Sequence, residues 1–218
     1  GYYAPTTGQS SQTACAVGTY QSATGQDSCD GAESGNYVDQ TGQSSQTACA
    51  VGTYQVDAGQ DSCDDADAGS YVPATGQSNQ TVCATGTYQS LTTQSSCNDA
   101  SAGNYVSTTG QTSQTTCAVG TYQVDAGQDS CDDAGAGSYV PATGQTSQTD
   151  CAVGTFQEDT RQSSCDDADA GSYVSATGQT SQTDCAVGTY QSATGQTSCD
   201  NADAGSYVPA TGQSNQTV

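Results

Sequence analysis

The sequence has no His, no Met, no Trp and no Lys, and its only basic residue is Arg161. Without His or Lys there is no ordinary general base near neutral pH, so catalysis is not expected. Without His, and with no Cys-x-x-Cys pair, a structural zinc site lacks its ligands. One Arg against 23 acidic residues, a net charge of −22, offers nothing to neutralise phosphates, which argues against nucleic acid as a partner. The same balance argues against an anionic membrane surface, and no apolar run is long enough to span a bilayer. Leu91 and Phe156 stand alone among the large aliphatic and Phe residues, so a conventional core is not expected either. The missing initiator Met and leader segment fit a mature or partial chain.

What is present is cysteine, glycine, tyrosine and repetition. The 12 Cys are even in number and regular in spacing, as in a disulfide framework formed in an oxidising compartment. Cys15, Cys49, Cys83, Cys117, Cys151 and Cys185 recur at one constant step, and Cys29, Cys63, Cys97, Cys131, Cys165 and Cys199 keep the same step. The approximate units are 1–34, 35–68, 69–102, 103–136, 137–170 and 171–204, with a partial unit 205–218. One continuous repeat array over 1–218, continuing past both ends as a fragment of a longer chain, is the expectation. A finer period lies inside. From Tyr3 through Tyr20 and Tyr37 to Tyr207 an aromatic ring recurs twice in every unit, evenly spaced, with Phe156 once replacing Tyr. Each unit is therefore two modules of equal length, as in 35–51 and 52–68. Counted from its first Gly as position 0, an odd module (Gly35 onward) carries Cys at position 14, and an even module (Gly52 onward) carries it at position 11. The vacant counterparts are Gln46 and Ala66.

A module with both cysteines would read G-x-Y-x(4)-G-x(3)-C-x-x-C. This pattern resembles the ephrin-receptor-like cysteine-rich repeat, a relative of the first disulfide loop of tumour-necrosis-factor-receptor modules. The likeness covers the whole chain and rests on Gly, Tyr and Cys positions; one Cys of each module is absent. It implies an extracellular setting, and stalks or scaffolds more than chemistry. The pattern of losses selects a connectivity. If position 14 of one module pairs with position 11 of the next, the bridges are Cys15–Cys29, Cys49–Cys63, Cys83–Cys97, Cys117–Cys131, Cys151–Cys165 and Cys185–Cys199. Vacated positions then also pair, Ala32 with Gln46 and Ala66 with Gln80, as the loss of a whole bridge requires. Joining Cys29 to Cys49 would instead strand Cys15 and Cys199.

Gly-x-Tyr-Val and Gly-Thr-Tyr-Gln are short β-prone runs, and the x-x-Thr-Gly-Gln that follows in most modules is a turn signal. No stretch has helical periodicity. The reading is a small disulfide-rich, all-β tandem repeat, an elongated rod of stacked irregular β-hairpin modules. The alternative is a β-solenoid with one module per rung. Pro5, Pro73, Pro141 and Pro209 sit just past strand starts, one in every second unit, where Pro is tolerated. The Tyr of each module is expected to be the main apolar filler, its ring against the disulfide and the next unit. A sugar-binding aromatic platform is the other reading of the same rings.

Calcium and covalent sugar are the remaining chemistries. Asp64, Asp65 and Asp67, and again Asp166, Asp167 and Asp169, are hard oxygen donors of the kind calcium takes. Other units dilute the cluster (Asn98, Asp99, Ser101; Asp132, Asp133, Gly135), which favours a solvated acidic face. Asn79 and Asn215 stand in N-glycosylation sequons. Ser and Thr make up more than a quarter of the chain, so O-linked sugar is a further expectation. Covalent glycans are thus expected, and calcium is the one cofactor left open. Together these features point to a secreted or cell-surface structural protein without enzymatic activity, a subunit of an extracellular filament or appendage. Its partners would be copies of itself or neighbouring repeats. A stalk or spacer of a surface adhesin or receptor is the first alternative, and a calcium- or glycan-associated multivalent binding module the second.

A loop of about 15 residues closed by a disulfide gains roughly 3 kcal/mol, whereas ordering the backbone costs roughly 1–2 kcal/mol per residue. One bridge per two modules therefore leaves contacts between modules to supply the remainder. Reduction should still loosen the array substantially, and unchanged circular dichroism with unchanged protease resistance would count against that expectation.

Overall fold

A computed structural model describes all 218 residues. The fold is all-β and contains no helix: twenty-four two-residue strands pair as twelve antiparallel hairpins. In the first module Tyr2 lies opposite Ala14 and Tyr3 opposite Thr13. The register repeats from module to module, as in Thr53 opposite Asp65 and Tyr54 opposite Asp64. The last module keeps a single bridge between Tyr207 and Thr217. After the first module, positions 1 and 2 are Thr, Ser or Asn followed by an aromatic, a pairing that suits a short pleated segment. All strand pairing is inside a module, so the solenoid alternative, with strands stacked rung upon rung, is set aside.

By compactness the chain divides into two units, Gly1–Ala100 with Val106–Gln114 and Ser101–Tyr105 with Thr115–Val218. Packing within each is local: a module bonds to the next module and the next but one. In the first unit Gly18 N–H donates to Val38 O at 2.8 Å and Gln21 N–H to Gln43 O at 3.1 Å, joining adjacent modules. Gly42 N–H then reaches back two modules to Cys15 O at 2.8 Å. The second unit repeats the scheme. Gly137 N–H donates to Gln157 O (2.8 Å) and Gln157 N–H to Gln179 O (3.1 Å) between adjacent modules, and Gly144 N–H reaches back to Cys117 O (2.9 Å). A two-stranded hairpin is marginal alone, and these bonds satisfy the backbone groups that its short ladder leaves open.

The core is built of small side chains. Position 14, alternately Cys and Ala, is fully buried at Cys15, Ala32, Cys49 and Ala66 in the first unit and at Cys117, Ala134, Cys151 and Ala168 in the second. Val at position 3 of odd modules is buried with them, as at Val38, Val72, Val140 and Val174. The expectation that Tyr is the main filler is corrected here. The position-2 rings from Tyr3 to Tyr190 are half-buried, and Tyr207 is exposed. Modules approach closely, and the fully enclosed places go to Cys, Ala and Val, with the Gln at position 3 of even modules buried beside them.

That closeness is set by glycine. At position 0 of the module that begins at Gly52, which has φ 85°, an added Cβ would overlap the carbonyl oxygen of Thr93, two modules on. Thr93 stands where most modules have Gly, and it holds φ at 62°, a left-handed conformation that costs a β-branched residue about 1–2 kcal/mol. Thr93→Gly should therefore stabilise the chain by about 1 kcal/mol, after the greater freedom of Gly in the unfolded chain offsets part of the relief. Gly52→Ala, on the other side of the same contact, should destabilise it. Denaturant midpoints of the two variants check both signs.

Candidate functional site

Six disulfides join Cys15–Cys29, Cys49–Cys63, Cys83–Cys97, Cys117–Cys131, Cys151–Cys165 and Cys185–Cys199. Each links position 14 of an odd module to position 11 of the even module that follows, and no free Cys remains. The first partner is fully buried and the second is half-buried, beside the surface.

Where the bridge is missing, a side-chain amide spans the same gap. Gln80, at the vacant position 11, accepts the Asp67 N–H at 2.7 Å and donates its Nε2 to the Asp67 carboxylate at 2.6 Å. Asp67 is the residue next to Ala66, the other vacated position. Gln46 does the same to Glu33, Gln182 to Asp169 and Gln216 to Asp203. Gln148 keeps only the backbone bond, to Gly135. A second Gln holds the even modules internally. Gln55, buried at position 3, donates to Ser62 O at 2.9 Å and accepts the Asp57 N–H at 3.0 Å, closing its own loop. Gln21, Gln89, Gln123, Gln157 and Gln191 repeat the pair. No buried side-chain polar atom lacks a partner, as a core this small demands. Sequence reasoning missed both roles. The signal was there, since position 3 alternates between Val and Gln and position 11 of odd modules is Gln wherever the Cys is absent.

The acidic residues considered for calcium are not brought together. No three His, Cys, Asp or Glu side chains converge into a group that could hold a metal ion. Asp64 and Asp65 are successive residues of a strand and so point to opposite faces. Asp166 and Asp167 are placed the same way, while Asp67 and Asp169 are held by Gln80 and Gln182. Burial, with the charges of Asp67 and Asp64 beside it, pushes the Tyr54 phenol above its ordinary range, so this ring stays neutral.

A shallow groove recurs beside the disulfides. In the first unit one groove of about 430 Å³ lies between Tyr3 and Cys29, with Ala16, Thr19 and Ser28 in its wall. Another, of about 370 Å³, lies between Tyr71 and Cys97, with Ala84, Thr87 and Ser96. In the second unit the same positions form grooves of about 220 Å³ at Tyr105 and Cys131 and about 250 Å³ at Tyr139 and Cys165. Arg161 lies against the Tyr105 groove, 3.8 Å from Asp133. The half-exposed Tyr ring thus forms one wall of each groove, beside a disulfide and a Thr hydroxyl.

Asn79 and Asn215 are exposed and occupy the same place, in the loop just before the second strand of the hairpin or bridge. Each amide donates only to the hydroxyl of the preceding Ser, at 3.2 Å. Six disulfides with no free thiol are the product of an oxidising environment. No helix is long and apolar enough to cross a membrane. No protein-family model matches the chain, and a search of curated proteins finds no match.

If the Gln80 bonds replace a bridge, Ala66 and Gln80 stand in the relation of Cys49 and Cys63. The double variant Ala66→Cys/Gln80→Cys should then close a seventh disulfide and add up to about 3 kcal/mol. Thiol titration and a non-reducing peptide map check it; two free thiols after oxidative folding would show that the even-to-odd step differs from the odd-to-even one.

Proposed function

We propose that this chain is a structural segment of an extracellular filament or surface appendage, with no catalytic role. The observation that carries this reading is the module-to-module bonding. Each module supplies the same backbone donors and acceptors to the next two, and each is locked by a disulfide or by a Gln bridge at the same place. Such a unit gains stability by repetition, which is what a protein of mechanical or spacing function needs. The chemistry supports the same reading by its poverty. Tyr, Thr, Ser and disulfide sulfur dominate the grooves, Asp27 adds one carboxylate at the Tyr3 groove, and the chain has no His or Lys to act as an ordinary base near neutral pH.

The external setting is part of the proposal. It is supported by the disulfide density and by the likeness of the modules to ephrin-receptor-like repeats. Asn79 and Asn215 are accessible for N-linked glycan, and the Ser- and Thr-rich surface is suited to O-linked sugar. A polar, acidic and sugar-bearing surface resists aggregation and proteolysis outside the cell.

Immunogold labelling of intact source cells, with an antibody raised to the repeat, tests the reading. Label along the length of extracellular fibres is the expected result. Label confined to the cytoplasm overturns the proposal, and label restricted to a short layer at the envelope replaces the filament with a stalk. Intact mass of the native chain equal to the bare polypeptide would remove the glycans.

A further inference from the structure

We propose that the Tyr–disulfide grooves are entry sites for thiol–disulfide exchange, in which a small thiolate attacks the position-11 sulfur of the bridge, and that Arg161 draws anionic thiols to the bridge between Cys117 and Cys131.

The two sulfurs of a bridge are not equivalent. The position-14 partners Cys15, Cys83, Cys117 and Cys151 are fully buried. The position-11 partners Cys29, Cys97, Cys131 and Cys165 are half-buried, and each lines a groove. No position-14 Cys lines any of the four. The grooves hold about 220 to 430 Å³, room for a small thiol beside the Tyr ring. Each groove therefore leads from solvent to one half of the bridge and not to the other.

Exchange begins when a thiolate attacks one sulfur of a disulfide, and access decides which sulfur is attacked. A thiolate arriving through the Tyr105 groove meets Cys131, and the enclosed Cys117 is the leaving group. A bond forms between the reagent sulfur and Cys131 Sγ as the Cys117–Cys131 bond breaks. The electron pair of the broken bond goes to Cys117 Sγ, which takes a proton from water. The product is a mixed disulfide on Cys131 and a thiol on Cys117. A second thiolate then attacks the reagent sulfur of the mixed disulfide, so that Cys131 leaves as a thiolate and the reagent departs as its own disulfide. Thiol is the only reductant consumed.

Charge separates one groove from the rest. A chain of net charge −22 disfavours an anionic thiol at every bridge, and Asp27 in the wall of the Tyr3 groove adds to this. The Tyr105 groove has Arg161, the one basic side chain, in its wall. Its side chain is 62 % exposed and lies 3.8 Å from Asp133. Asp133 in the same wall and Asp129, next to the wall residue Ser130, oppose its charge. The Tyr139 groove shows what the site is without the cation. There Asp167 stands in the place of Asp133 and Gly195 in the place of Arg161, and no charged residue lines the groove. Replacing Arg161 by Gly thus removes the cation and restores the residue that most modules carry at this positive-φ position.

The test exposes the oxidised, folded full chain to limiting thiol and quenches with acid. The freed thiols are then alkylated in denaturant, and peptide masses are mapped at acid pH. Three reagents are compared: anionic 2-mercaptoethanesulfonate, neutral 2-mercaptoethanol and cationic 2-aminoethanethiol. The expected adducts are on Cys29, Cys97, Cys131 and Cys165, with the alkylated thiols on Cys15, Cys83, Cys117 and Cys151. Equal adducts on both partners would mean that the bridge opens only after local unfolding, which exposes both sulfurs, and would overturn the inference. Adducts on the position-14 partners, or no exchange in the folded chain, would overturn it as well. In Arg161→Gly the anionic reagent should react at Cys131 up to about fivefold more slowly, the scale of an exposed charge interaction. The cationic reagent should react faster there, the neutral one should be unchanged, and the other bridges should keep their rates as internal controls. The difference should shrink in 1 M salt, where the Debye length falls to about 3 Å. Equal rates at Cys131 in the two proteins with the anionic reagent at low salt would overturn the role of Arg161.

Discussion

The close approach of backbone to backbone two modules apart governs this protein. The first Gly of a module lies so near the carbonyl at position 7, two modules on, that no Cβ fits between them: Gly52 meets Thr93, and Gly120 meets Arg161. This spacing brings Gly42 N–H onto Cys15 O and Gly59 N–H onto Ala32 O. It also dictates what the core can be. With the backbones so close, the enclosed space takes Cys, Ala, Val and one hydrogen-bonded Gln per even module and leaves aromatic rings at the rim. A protein with almost no Leu, Ile or Phe can fold this way because it needs little volume, only many small contacts repeated.

Two kinds of cross-link hold successive modules, and they alternate. Odd-to-even steps carry a disulfide, and even-to-odd steps carry a Gln amide on the backbone of the preceding module, joined at Gln46, Gln80, Gln182 and Gln216 by a bond to its carboxylate. A hydrogen bond contributes about 0.5–1.5 kcal/mol net, somewhat more to a charged partner, and the Gln bridges are exposed. The two Gln80 bonds are thus weaker than a disulfide of about 3 kcal/mol, yet they link neighbouring places in the module. Only the covalent half of the set responds to redox potential, so reduction removes every second link and leaves the hydrogen-bonded ones in place.

The same economy explains the acidic surface. Asp and Glu lie on strands, in loops or in Gln bridges, and nowhere do three of them form a group that could hold a metal ion. The one basic residue, Arg161, holds positive φ where most modules place Gly and sits against a groove beside Asp133.

Period, hairpins, disulfide pairs and the absence of helix were legible in the residues, because each depends on contacts within about one module. Gly-x-Tyr and Thr-Gly-Gln specify a short hairpin locally, and the paired loss of cysteines specifies which positions face each other. The place of Tyr was not legible. A ring at the same position of every module is equally consistent with a core and with a rim, and only the distance between backbones decides. The two Gln roles were hidden for the same reason, since an amide such as that of Gln80 shows its partner only when Asp67, in the preceding module, is folded against it. The sequence by itself thus determined the module, its repeat and its covalent links, all of them short-range. The tertiary structure decided what is inside, what bridges the vacant positions and where the grooves lie. Those follow from backbone contacts between modules, such as Gly42 on Cys15 and Gly52 on Thr93, which form only once separate hairpins have packed together.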